Sequence, residues 1–262
     1  MNDQISYPNI RTPDGHDIKA IYEVPAGNSL ENCIVLLLHG IFTDKHEKGR
    51  FDRFAGRLLT VGLEVFRFDF RGHGESDIPS KDFDVQGALY DYITVLKWIK
   101  RRGKRIVIIG SSFGGSVALL ERQLRIKQEI ELFVFLNPVL DYQGTFTNSI
   151  LEWEGAISDE KALQLLDEGG TTILNEFVGS VSLYLEMALM FPYLGISKLQ
   201  APSLVFHGDS DDKVSVKFAQ DYCTIEPNVE LDIVVSGGHA FKDPTIEKYV
   251  HDKAVSWILK SI

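Results

Sequence analysis

The chain has 262 residues, 44% of them hydrophobic and 24% charged, which suits one large soluble domain, or a domain with an insertion, around a sizeable core. Its net charge of −10 and the absence of a basic patch exclude nucleic acid as an expected partner. The longest apolar run, Cys33-Ile34-Val35-Leu36-Leu37-Leu38, is a third of a membrane span, so no transmembrane segment is expected.

In chain order, Asp17 to Val24 alternates like a half-exposed edge strand. Cys33 to His39, Glu64 to Phe70, Arg105 to Gly110, Leu132 to Asn137, Ser203 to His207 and Val229 to Val235 read as short buried strands. Helical spacing marks Phe51 to Thr60, Val85 to Lys100, Gly114 to Arg122, Val216 to Cys223 and Thr245 to Leu259. Alternating strands and helices predict an α/β fold with a mostly parallel sheet covered on both faces, whose ligands bind at the carboxyl ends of the strands. The rhythm breaks from Leu140 to Gln200, too long for a structureless loop, so a small helical insertion is expected there. It contains Glu160 to Glu168 and the apolar run Val181 to Tyr193. The domain reading is therefore 1–139 as core, 140–200 as insertion and 201–262 as core.

The excess charge is local: Asp141 to Gly195 holds nine acidic residues and one basic residue, Lys161. A field of that sign disfavours polyanionic substrates such as coenzyme A esters. Cys33 and Cys223, far apart in apolar or helical segments, read as buried thiols of a reducing compartment. No signal peptide is visible, and a cytoplasmic location is expected. No metal-ligand spacing occurs among the histidines and cysteines, so no metal and no cofactor are expected.

Gly110-Ser111-Ser112-Phe113-Gly114 follows a β-branched strand and precedes a helix, the context of a nucleophile elbow centred on Ser112. The sharp turn requires residues without a side chain two positions either side, met by Gly110 and Gly114. A serine hydroxyl needs a base, and the base an orienting acid. His239, in Ser236-Gly237-Gly238-His239, follows the last strand and is the candidate base. Asp209, Asp211 and Asp212 compete for the acid after Ser203 to His207, with Asp211 favoured and Asp141 the outside candidate. The oxyanion donors expected are the N–H of Phe113, just after the nucleophile, and that of Ile41, in the loop His39-Gly40-Ile41-Phe42. His39 is read as a packed support, and Asp44, Lys45, His46, Glu47 and Lys48 as a solvated rim.

These residues, together with Asp69-Phe70-Arg71-Gly72-His73-Gly74-Glu75-Ser76, resemble the α/β-hydrolase superfamily across nearly the whole chain. Within it the chain is most similar to lidded bacterial carboxylesterases of the feruloyl and cinnamoyl esterase type. The resemblance implies that 140–200 is a lid, that His73 belongs to a structural turn, and that Asp141 and Tyr184 hold the aromatic ring of the substrate. The apolar lid run, with Met187 and Met190, is expected to line the acyl or aryl pocket. The expected activity is hydrolysis of small to medium acyl or hydroxycinnamoyl esters through an acyl-enzyme on Ser112, with a small-molecule ester as partner. A thioesterase or acyltransferase with the same triad is the alternative, and a non-catalytic ligand-binding homologue a further one. A serine nucleophile argues against the dehalogenase and epoxide hydrolase branches. The oligomeric state, a homodimer included, stays open.

Overall fold

A computed structural model describes residues 3–27, 29–30, 32–124, 129–147, 163, 167–168, 171–174 and 177–262. Its centre is an eight-stranded sheet in the order β1-β4-β6-β5-β7-β8-β11-β12. The strands are β1 (Gln4–Ser6), β4 (Ala20–Val24), β5 (Cys33–Leu38), β6 (Glu64–Phe68), β7 (Arg105–Ser111), β8 (Leu132–Leu136), β11 (Ser203–Gly208) and β12 (Val229–Val234). From β6 to β12 all neighbours are parallel, while β1 and β4 join antiparallel. The strands β2 (Ile10–Arg11) and β3 (Asp17–Ile18) form a separate small hairpin.

The sheet is buried on both faces because its strands are apolar on both, as parallel strands must be. In β5, Ile34, Leu36 and Leu38 join one core, and Cys33, Val35 and Leu37 the other. The first core is completed by α2 (Val85–Lys100), α3 (Phe113–Arg122), α4 (Val181–Leu189) and α5 (Val216–Cys223). The second is closed by α1 (Arg50–Thr60) and α6 (Pro244–Ser261). Each aliphatic side chain so buried contributes about 1.5–3 kcal/mol. Cys33 and Cys223 are buried in different cores.

Two differences from the periodicity have physical causes. Asp17 to Val24 is not one edge strand: it splits at Lys19, and β4 lies inside the sheet because β1 pairs along it, Ile5 opposite Glu23. All three residues of β1 are exposed, so no alternation announced it. The insertion also holds a hairpin, β9 (Thr171–Leu174) with β10 (Phe177–Gly179), beside the π-helical turn Gln143–Thr147, α4 and a 3₁₀ segment Pro192–Lys198. The helix expected over Glu160 to Glu168 lies, but for positions 163, 167 and 168, outside the described residues.

The end of the insertion is docked on the core. The carboxylate of Glu186 on α4 accepts from the N–H groups of Val85 (2.5 Å) and Gln86 (3.2 Å), the orphan donors at the start of α2. Tyr193 stacks on Tyr222 of α5 with ring centroids 4.4 Å apart. Among the described residues no helix is long and apolar enough to cross a membrane.

Candidate active site

Strand β7 ends at Ser111 and α3 begins at Phe113, leaving Ser112 in the turn with φ 48° and ψ −114°. Such backbone costs about 1–3 kcal/mol and persists only where the surroundings fix it. Here the Ser112 N–H donates to the Leu136 carbonyl (2.9 Å), and its own carbonyl accepts from Gly115 (3.1 Å) and Val139 (3.2 Å). The flanking glycines are sterically required: a Cβ on Gly114 would stand 2.3 Å from the Leu38 carbonyl oxygen, and one on Gly110 2.7 Å from the Gly115 Cα.

Ser112 Oγ donates to His239 Nε2 (3.1 Å), and His239 Nδ1 donates to Asp211 Oδ2 (2.9 Å). The carboxylate acceptor on Nδ1 leaves Nε2 as the ring nitrogen that accepts from Ser112. The other Asp211 oxygen accepts from the N–H groups of Lys213 and Val214, both at 2.9 Å. Burial alone would raise the Asp211 pKa, but the bond to His239, its charge and the Val214 N–H hold it below the ordinary carboxylate value. His207 lies 3.5 Å from the same carboxylate, and burial lowers its pKa, keeping the ring neutral. Asp209 instead accepts from the Ser236 N–H (2.7 Å), and Asp212 is exposed, so the geometry brings only Asp211 to His239 from this loop.

Gly40 packs beside the serine, its Cβ position 3.3 Å from the Ser112 Cβ. Among the described residues no protein acceptor takes the N–H of Ile41 or Phe113, the two donors expected to face an oxyanion. His39 is fully buried, Nδ1 donating to the Gly40 carbonyl (2.7 Å) and Nε2 accepting from Phe70 N–H (3.0 Å), which is the supporting role expected of it. His73 is likewise buried in the turn after β6, its Nδ1 donating to the Arg71 carbonyl (3.0 Å).

The segment Asp44 to Lys48 is not the solvated rim expected. Lys45 is buried and its ammonium donates to Asp69 (2.7 Å) and Glu75 (2.5 Å). Glu47 turns inward: one oxygen accepts from the Gly40 N–H (2.5 Å), the other from the Arg50 guanidinium (3.0 Å). Arg50 also donates to Ser111 Oγ (2.5 Å) and the Ala240 carbonyl (3.3 Å). One ion pair thus ties together the Gly40 loop, the elbow and the histidine loop. Glu47 and Lys48 hold left-handed backbone, φ 49° and 55°, which turns that carboxylate back toward Gly40.

Asn137, at the end of β8, performs a similar service on the other side. Its amide donates to the His239 carbonyl (2.6 Å), and its side-chain oxygen accepts from the Gly208 N–H (2.8 Å). It too is left-handed, φ 46°, a conformation asparagine tolerates better than most. Sequence reasoning passed over Arg50 and Asn137 and placed Glu47 on a solvated rim. The signal available was weak: an asparagine closing a buried strand, and a glutamate and arginine three apart.

A cleft of about 780 Å³ opens over Ser112 and His239, with Ile41, Phe42, Val139, Phe146 and Ile246 as its apolar wall. Phe146 comes from the insertion. Asp141, Tyr184 and Met187 do not line this cleft. The Asp141 carboxylate accepts from the Gly144 N–H (2.9 Å) and faces the Tyr222 hydroxyl (3.5 Å), capping the turn it begins. Met187 is buried in the first core, where α4 packs its apolar face, and Tyr184 is half-buried against the same core.

The chain belongs to the alpha/beta hydrolase family, whose model matches residues 35–247. Among solved structures it is similar to Est1E of Butyrivibrio proteoclasticus with ferulic acid bound, with a TM-score of 0.79 and 19% identity over 97% of this chain and 98% of that one. It is also similar to the esterase EaEST of Exiguobacterium antarcticum, with a TM-score of 0.72 and 18% identity over 97% and 99% of the two chains. The alpha/beta hydrolase GrgF of Penicillium sp. sh18 matches with a TM-score of 0.79 and 16% identity over 98% and 99%. Among curated sequences, an uncharacterised 31.7 kDa protein of Escherichia coli from the traX-finO intergenic region is 28% identical over 102 residues. That match covers 37% of this chain and about a third, 35%, of the relative.

Proposed function

We propose that this protein is a serine hydrolase that cleaves carboxylic esters through an acyl-enzyme on Ser112. The observation that carries the reading is the continuous relay Ser112 Oγ to His239 Nε2 to Asp211, at 3.1 and 2.9 Å, on a strained elbow. Ser112 Oγ attacks the ester carbonyl carbon while its proton passes to His239 Nε2. Asp211 keeps the ring in register and stabilises the imidazolium. The carbonyl oxygen, now negative, takes hydrogen bonds from the Ile41 and Phe113 N–H groups, which acceptors among the described residues leave available. His239 then protonates the departing alkoxide, and the acyl group stays on Ser112. A water, deprotonated by the same nitrogen, attacks the acyl-enzyme and releases the acid.

The insertion 140–200 acts as a lid on this reading, supported by Phe146 in the cleft wall and by the docking of Glu186 on α2. The apolar wall suits small to medium acyl or hydroxycinnamoyl groups, and the ferulic acid named with Est1E supports the aryl end of that range. The test is a panel of p-nitrophenyl esters from acetate to laurate plus methyl ferulate, with wild type and Ser112→Ala side by side. Turnover confined to wild type is expected. Equal turnover by the alanine variant, or none on any ester while thioesters react, refutes the ester assignment.

A further inference from the structure

The strand that leads to Asp211 carries a second histidine that the relay itself does not use. His207, near the end of β11, is wholly buried. Its Nε2 lies 3.0 Å from the Val214 carbonyl oxygen and 3.5 Å from Asp211 Oδ2. A carbonyl oxygen only accepts, so Nε2 carries the hydrogen. Burial lowers the pKa of the ring, against the raising effects of Asp211 and the Val214 carbonyl, and keeps it neutral. Nδ1 is then a bare acceptor, buried and without a partner among the described residues.

An unpaired acceptor in the core destabilises a fold, and an apolar ring of the same size would avoid it. An apolar ring could not hold Val214. The Val214 N–H donates to Asp211 Oδ1 at 2.9 Å, as does that of Lys213, while the Val214 carbonyl accepts from His207. Both backbone polar groups of Val214 are therefore held, one by the Asp211 side chain and the other by a ring fixed to the sheet. His207 pairs in register with Ile233 of β12, the strand that leads to His239. The Asp211 turn is thereby set against the same strand pair that delivers its partner. Oδ2, the oxygen that takes His239 Nδ1 at 2.9 Å, is also the one that faces His207 Nε2. The titratable groups facing His207 are Asp211 from its own loop and His239 from the loop after β12.

We propose that His207 is a positioning residue for the relay: its Nε2–H, anchored on β11, holds the 211–214 turn so that Asp211 presents Oδ2 to His239 Nδ1. The inference rests on the ester hydrolase reading and extends it by one side chain. His207 does not line the cleft, so it touches no substrate and acts through Asp211.

The experiment compares His207→Phe, His207→Asn and His207→Gln with wild type on p-nitrophenyl butyrate. His207→Phe fills the space without a donor, and His207→Asn places its amide near the Nδ1 position, short of Val214. His207→Gln carries an amide nitrogen out to the Nε2 position, where it donates to the same carbonyl. A fall of about 10- to 100-fold in kcat is expected for His207→Phe and His207→Asn, with KM little changed, as when a reacting group is slightly misplaced. His207→Gln is expected to stay within about threefold of wild type. The second readout is the downfield proton resonance of the His239 Nδ1–H bond to Asp211, assigned by its loss in His239→Ala. It should move in His207→Phe and His207→Asn and stay in place in His207→Gln.

Equal kcat for His207→Phe and His207→Gln, or wild-type kcat in His207→Phe, overturns the proposal and leaves the esterase standing. Loss of the fold in both His207→Phe and His207→Asn does the same, since His207 would then serve the core alone. If wild type turns over no ester, the esterase reading fails and the resonance decides alone. Movement in His207→Phe and His207→Asn but not in His207→Gln then supports His207 as the hold on Asp211. A resonance unmoved in all three, or absent from wild type, overturns it.

Discussion

Removing the Glu47 carboxylate tests whether the oxyanion loop is held from behind. In Glu47→Ala, the Gly40 N–H loses an acceptor at 2.5 Å and the Arg50 guanidinium loses its only carboxylate within 3.0 Å among the described residues. The two side chains are 11% and 6% exposed, so water replaces the lost contacts only in part. Breaking a buried pair from one side costs about 3–5 kcal/mol, and because Glu47 borders the cleft the lower figure applies. For catalysis, complete loss of one oxyanion donor costs on the order of 10²–10³ in kcat. The Ile41 N–H would be loosened and not removed, so a fall of about 10- to 100-fold in kcat with little change in KM is expected. The assay is steady-state hydrolysis of p-nitrophenyl butyrate beside urea unfolding followed by tryptophan fluorescence. Glu47→Gln keeps an acceptor for Gly40 while losing the charge, so it recovers most of kcat but only part of the stability. A kcat for Glu47→Ala within twofold of wild type, alongside a large loss of stability, would show that the pair only packs the fold and has no hold on the oxyanion loop.

Asn137→Ala is expected to cost about 2–4 kcal/mol, from the lost bonds to His239 and Gly208 and from strain at φ 46°. Its kcat should fall more than its KM rises, and an unaltered kcat would contradict a role in holding the histidine loop. Glu186 has its pKa pushed up from 4.5 to about 7, by burial first and by the Asp84 charge, despite the two N–H donors it meets. Folded chains therefore hold its proton more tightly than unfolded ones. Its stabilisation is complete below pH 4.5 and is lost as pH rises through about 7. Melting temperatures from pH 5 to 8 should decline in wild type and decline less in Glu186→Gln, and parallel curves for the two would refute the linkage. Ser112→Ala should leave the melting temperature near that of wild type or above it, since it removes one hydroxyl from a strained turn. A large loss of stability would mean that its lost activity reports misfolding.

The elements proposed to carry chemistry were readable because each has a local signature. A β-rich run ending in Gly-x-Ser-x-Gly, or in a loop with a histidine or several aspartates, places a reactive residue at a strand end whatever the rest of the chain does. The choice of Asp211 over Asp209 and Asp212 was legible only as a preference. The distinction rests on where the Val229–Val234 strand delivers His239, a matter of sheet register. The turn around Asp69 and His73 was read as support only through the resemblance to the α/β-hydrolase superfamily.

Other features stay silent until the chain closes. Lys45 and Glu47 look like surface charges in a polar run, yet Lys45 pairs with Asp69 beyond another strand and Glu47 folds back onto Gly40 of its own loop. Arg50 reaches Ala240 across 190 residues, and Asn137 reaches His239 across 102. Asp141 and Met187 look available for substrate, yet a backbone N–H claims one and the first core the other. Strand-end chemistry follows from periodicity and backbone sterics acting over a few residues, which any stretch of sequence displays. A hydrogen bond or ion pair between distant loops leaves no periodic trace. Which polar groups are buried and what they hold in place are therefore settled only when the sheet brings its strand ends together.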